Sequence, residues 1–291
     1  MFRIICCVFI AILASTNLYS NIIDEDIEER EKRSKIIFDR YIIYISEYDK
    51  LPPNEILIST AKFFIGKPYV ASTLEQNGDE HLVVNLEEFD CTTFVETCIA
   101  LTLTAISKEP TFENFKYYLQ KIRYRGGSID GYLSRLHYMI DWIADGESKK
   151  IFKNISSQLG GERVKKEINF MSAHPELYPK LRNNKFFVSQ IADIEVDIAL
   201  KDYVVISKKE ILAASDAILN GDIVIFASAI DGLDYNHLGI VYREKGMLKI
   251  IHASSASRKV IIDNRSIDHY CKTTPRNTGV TILRLDSIIT H

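Results

Sequence analysis

Residues 221–263 read GDIVIFASAIDGLDYNHLGIVYREKGMLKIIHASSASRKVIID. Four short apolar runs, Gly221–Phe226, His237–Tyr242, Leu248–Ala253 and Lys259–Asp263, alternate with turn-forming segments. That is the pattern of an antiparallel meander. Gly279–Leu285 offers one further strand. The signals upstream are mainly helical, so helices come first and the sheet last. This order specifies an α+β fold, not the alternation of a βαβ protein.

Working back from the meander, FDCTTFVETC (Phe89–Cys98) marks the start of a helix. Asp90 is its expected cap, and the helix should run to about Ala105. Phe94, Val95, Cys98, Ile99 and Leu101 make it apolar nearly all round, which requires deep burial. Further upstream Asn54 is the expected N-cap of a helix ending at Ile65, stopped by Gly66 and Pro68. Residues 24–35 are densely charged and read as a solvated helix face or a mobile lead-in. The segment from about 108 to 218 reads as a helical insertion between the Cys91 helix and the sheet.

The chain has 291 residues, 46% hydrophobic and 26% charged, enough for one large core. Its formal net charge of −3, without a basic run, argues against nucleic acid as a partner. At the N-terminus Arg3 precedes an apolar run, Ile4–Ala14, followed by small and polar residues. Residues 1–20 thus have the layout of a secretory signal cleaved after Ser15 or Ser20, and the run falls short of the roughly 20 residues needed to span a bilayer. The expectation is an exported, periplasmic or secreted protein, residues 21–291 forming one domain with no integral membrane span after processing. The mature chain keeps Cys91, Cys98 and Cys271, an odd number that leaves at least one thiol free. Cys91 and Cys98 are about 10 Å apart along one helix and cannot pair. Whether Cys98 and Cys271 pair is open.

Cys91 falls at the first helical position, where free backbone N–H groups and the helix dipole favour a thiolate. Asp90 next to it works in the opposite direction. A nucleophilic thiol needs a base, and of seven histidines only His237 and His252 lie on consecutive predicted strands. With a turn centred on Glu244–Lys245 the two stand directly opposite, Cβ atoms about 5 Å apart. A slip of one residue would send them to opposite faces. In the first case His237 serves as general base and acid and His252 orients it. The plainer reading is a core cysteine and two histidines satisfied by backbone. No CxxC or HxxxH spacing occurs, so neither a zinc site nor another metal or cofactor is indicated.

The order GKPYV, DCTTFVE, GDIVIF, NHLGIVY, IIHASS resembles the NlpC-type cell-wall cysteine hydrolases, a bacterial branch of the papain-like fold. Those have Ser-Gly after the cysteine where this chain has Thr92-Thr93. That departure, with STLE (Ser72–Glu75), RYRGG, DGYLSRLHY, DWI and GLDYNHLGI, resembles the N-acetylmuramoyl-L-alanine amidase-like branch, over about Ile65 to Leu285. The resemblance implies a papain-like core with a catalytic Cys91, His237 and His252, and Tyr69 assisting the Cys91 N–H at the oxyanion. It also implies a muropeptide substrate, sugar plus stem peptide, cleaved between the lactyl group of N-acetylmuramic acid and L-alanine through a thioester. Within the insertion, Tyr138, Met139, Trp142 and Ile143 have ordinary core spacing, and Arg135 is the expected substrate contact. Three alternatives remain: a γ-D-glutamyl-diaminopimelate endopeptidase, a catalytically inactive wall-binding protein, and a zinc amidase.

Overall fold

The computed structural model describes residues 27–48, 50–76 and 78–286; the expected signal segment, residues 1–20, lies outside them. Residues 27–45 form helix α1, and Ser34, Phe38, Tyr41 and Ile45 on one stripe of it are buried. The described part of the charged segment, residues 27–35, therefore lies on an amphipathic helix whose other face is solvated. The Tyr41 hydroxyl bonds Thr60 Oγ1 at 2.9 Å and donates to Leu101 O at 3.3 Å, tying α1 to the two helices below.

Those are α2 (Pro53–Phe63) and α3 (Cys91–Ala105). The cap of α2 is Pro52, not Asn54, whose side chain donates to Asn220 O instead. Proline at the first helical turn costs nothing there, and so displaces the expected start. Gly66 takes φ +90°, closing the turn after α2. After α3 come α4 (Phe112–Arg123) and α5 (Met139–Ser148), then strands β1 (Phe152–Asn154) and β2 (Glu162–Arg163). The chain continues through α6 (Phe170–Ala173), α7 (Lys185–Ala199), β3 (Val204–Ser207) and α8 (Ile211–Ala214). The C-terminal part is β4 (Ile223–Ser228), β5 (Tyr235–Glu244), β6 (Met247–Ser254), β7 (Lys259–Ile262), α9 (Ile267–Thr273) and β8 (Asn277–Leu285).

The sheet runs β2-β3-β8-β4-β5-β6-β7, with β1 also on β8, and every ladder is antiparallel. The fold is mixed α+β on an antiparallel sheet. The insertion departs from the expected helical segment by supplying β1, β2 and β3. Those strands are only two to four residues long, too short to show a period-two pattern.

Side chains alternate across the strands and divide the core in two. Ile225, Leu238, Ile240, Ile251 and Ala253 face the layer containing α2 and α3. Val224, Phe226, Val241 and Ile250 face the opposite layer, with Ile267 and Cys271 of α9. Cys98 belongs to the first layer and Cys271 to the second, both free, which resolves their pairing: the sheet lies between them.

Candidate active site

Cys91 starts α3 because Asp90 and Thr93 form a reciprocal cap. Asp90 Oδ1 accepts from Thr93 N–H at 2.8 Å, and the Asp90 N–H donates to Thr93 Oγ1 at 2.9 Å. The remainder of α3 is buried against β5 and β6, so the half-buried thiol is held at a fixed height over the sheet. Burial first, and the Asp90 carboxylate second, push that thiol up to about 12. Hydrogen bonds from the Thr92 hydroxyl, the Leu238 N–H and its own N–H pull the other way. The helix dipole is thus outweighed, and the resting group is a thiol, contrary to the lowered value expected from position alone.

The Leu238 N–H that reaches the sulfur belongs to β5, one residue after His237. The ladder from β5 to β6 begins only at Ile240↔Ile251, so this end of β5 is open on that edge. Glu244 pairs with Met247, and the two-residue turn is Lys245-Gly246, both at positive φ. This corrects the register expected from sequence. His252 stands across from Gly239, not His237, and a shift of two keeps both imidazoles on one face. They meet diagonally, His237 Nε2 to His252 Nδ1 at 2.5 Å. Burial, then the neighbouring His252, lowers the His237 pKa to about 3, with Asp263 opposing, so the ring is neutral near pH 7.

Tyr69 is carried by the turn after α2. Its N–H donates to Arg258 O at 3.0 Å and the Val70 N–H to Phe89 O at 3.0 Å, which clamps the turn between β7 and the start of α3. Burial, then Cys91 and Asp90, raise the phenol to about 12, leaving a neutral O–H beside the thiol.

Arg135 departs from the expected substrate contact. It is only 4% exposed. Its guanidinium donates to Leu74 O at 2.8 Å and Glu75 Oε1 at 2.7 Å, lies 3.6 Å from Glu80 and sits over the Tyr132 ring. Its donors hold the 72–76 turn, as a buried cation must be paired. Tyr138 likewise serves packing, donating to Glu195 at 2.6 Å.

Three residues at the site had no signal in the sequence reading. Asp263 follows β7, and Oδ2 lies 3.5 Å from His252 Nε2. Arg265 grips Asp263 through Nε at 2.9 Å and Nη2 at 2.7 Å. Tyr270 of α9 stacks on His237 (centroids 5.8 Å, 24°) and meets His252 edge-on at 5.7 Å, and the Arg265 guanidinium lies over its ring, 4.4 Å from the centroid. Parity would have found Asp263: His252 pairs with Ile261, so Asp263 shares its face, once the register is known.

A family model described as N-acetylmuramoyl-L-alanine amidase-like matches residues 59–280, a span that holds all of these side chains. The chain belongs to the AmiA-like family. A Bacteroides uniformis N-acetylmuramoyl-L-alanine amidase of known crystal structure is 36% identical, with a TM-score of 0.75 over 81% of this chain and 99% of that one. A Bacteroides fragilis protein provisionally named a xylanase is also 36% identical, TM-score 0.74, over 78% and 100%. A Legionella pneumophila protein, 18% identical with a TM-score of 0.70 over 89% and 96%, shares the fold. No curated protein matches the sequence. For an AmiA-like chain the amidase reading is the one the matched span supports. Among the described residues no helix is long and apolar enough to cross a membrane, and no group of three or more His, Cys, Asp or Glu is placed to hold a metal.

Proposed function

We propose that this AmiA-like protein is an exported cysteine amidase of NlpC-type, papain-like architecture. Its substrate is a peptidoglycan fragment, and it cleaves the amide between N-acetylmuramic acid and L-alanine. The observation that carries the reading is the 2.5 Å contact between His237 and His252 beside the Leu238 N–H that reaches Cys91.

In this mechanism His237 takes the proton of Cys91 as the sulfur attacks the amide carbonyl. Because the thiol is raised and the imidazole lowered, both are neutral at rest, and the proton moves as the carbon–sulfur bond forms. The Cys91 N–H and the Tyr69 hydroxyl donate to the oxyanion, each such donor contributing about 3 kcal/mol. His237 then protonates the departing L-alanine amine. Water, deprotonated by His237, hydrolyses the muramoyl thioester. The step balances without metal or organic cofactor.

The xylanase name of the Bacteroides fragilis relative would require two carboxylates flanking a glycosidic bond. The carboxylates beside this site are already engaged, Asp90 in the helix cap and Asp263 with Arg265. A γ-D-glutamyl-diaminopimelate endopeptidase would use the same groups on another bond. Mass spectrometry of the products from N-acetylmuramoyl-L-alanyl-D-glutamyl-diaminopimelate separates them. The amidase releases a peptide beginning with L-alanine; a dipeptide left on the sugar would refute the proposal. The export part stands on Ile4–Ala14 and the small residues after it, and N-terminal sequencing of secreted protein that returned Met1 would contradict it.

A further inference from the structure

We propose that Asp263, anchored by Arg265, is a positioning residue that fixes the tautomers of His252 and His237, leaving Nδ1 of His237 as the basic atom. The catalytic consequence rests on the amidase reading; the tautomer assignment does not.

An ionised carboxylate only accepts hydrogen bonds. Arg265 keeps Asp263 ionised: its backbone N–H donates to Oδ1 at 2.8 Å and its guanidinium bonds both oxygens. Burial would raise the carboxyl, but Arg265 and His252 hold it well below the usual carboxylate range. His252 is 1% exposed, and among the described residues its Nε2 has no hydrogen-bond partner beyond the 3.5 Å approach to Asp263 Oδ2. A neutral imidazole carries one N–H. With that proton on His252 Nε2, facing the carboxylate, Nδ1 is an acceptor. The 2.5 Å contact then requires an N–H on His237 Nε2. The lone pair of His237 is left on Nδ1.

The reverse assignment sets a lone pair of His252 against the carboxylate and places the His237 proton on Nδ1, where it cannot act as a base. One buried negative charge therefore selects between two arrangements of the same rings. Tyr270 adds the steric half: it packs on both imidazoles, and Arg265, which holds Asp263, also covers its ring.

The test is long-range proton–nitrogen NMR on protein labelled with ¹⁵N-histidine, wild type and Asp263→Asn, alongside kinetics. In wild type both His237 and His252 should show a protonated Nε2 and a bare Nδ1. Asp263→Asn should mix the tautomers and lower kcat by about 10²–10⁴ at nearly unchanged KM, the pattern of a lost orienting carboxylate. Arg265→Gln should shift both readouts in the same direction by less. A wild-type spectrum with His237 protonated at Nδ1 overturns the proposal. So does Asp263→Asn with unaltered tautomers and kcat. If Asp263→Asn does not fold, the wild-type spectrum and Arg265→Gln still decide. A protein with these tautomers but no amidase activity would refute the amidase reading and leave the positioning role standing.

Discussion

Gly239 stands across from His252 just beyond the last β5–β6 pair, Ile240↔Ile251, and its missing side chain leaves the room in which His252 meets His237. A Cβ there would fall 2.9 Å from the Ile251 carbonyl oxygen and 3.0 Å from the His252 Cβ. Both are backbone-fixed atoms, so β6 would have to move.

Gly239→Ala should therefore damage catalysis more than folding. A displacement of His252 by about 1 Å costs on the order of 10² in rate, while overpacking of this kind costs about 1–3 kcal/mol. Steady-state kinetics with a thermal melt separates the two effects. Wild-type kcat in Gly239→Ala would show that the diagonal contact does not matter.

Alkylation reports the resting state of Cys91. A thiol raised to about 12 beside a neutral His237 should react slowly with iodoacetamide at neutral pH, with a rate still climbing above pH 9. A rate already on its plateau between pH 5 and 8 would mean a thiolate–imidazolium pair at rest and would contradict the neutral one.

The acid limit of stability has a named contributor in His137. Burial, then the charge of Arg135, lowers its pKa to about 3, while its ring contacts Tyr132 O at 2.9 Å. The unfolded chain takes up this proton below about pH 6.5, the folded one only near pH 3, so stability is lost as pH falls through that window. Urea midpoints between pH 7 and 4 should fall less steeply for His137→Gln than for wild type. Parallel slopes would exclude this assignment.

The sequence carried the fold where patterns are long. The five C-terminal strands, the helix from Cys91 to Ala105 and its Asp90 cap follow from periodicity and local hydrogen bonding alone. What it lacked was register. A turn at Lys245-Gly246 instead of Glu244–Lys245 moves His252 by two residues along its partner strand, and the one local signal for it is Gly246, which takes the positive φ that a two-residue turn needs. Asp263, Arg265 and Tyr270 become visible only once β6, β7 and α9 are placed. Arg135 shows the converse: a lone arginine in an aromatic segment invites a ligand, but burial beside Glu75 and Glu80 claims it.

Removing single groups should rank them. Cys98→Ala and Cys271→Ala should keep near-wild-type turnover, because the two thiols are buried in separate layers of the core. His252→Ala should lose on the order of 10²–10⁴ in kcat, and His237→Ala more, since it removes both base and acid. Hydrolysis assays on variants checked by circular dichroism give the order. An inactive but folded Cys98→Ala would reassign the nucleophile.

The central claim is that Cys91 is the nucleophile of an amide hydrolysis, and turnover of a defined N-acetylmuramoyl-tripeptide by wild type and Cys91→Ala tests it most directly. The account predicts release of the L-alanine-led peptide by wild type and none by a Cys91→Ala protein with unchanged circular dichroism. Peptide release by Cys91→Ala at the wild-type rate would contradict it.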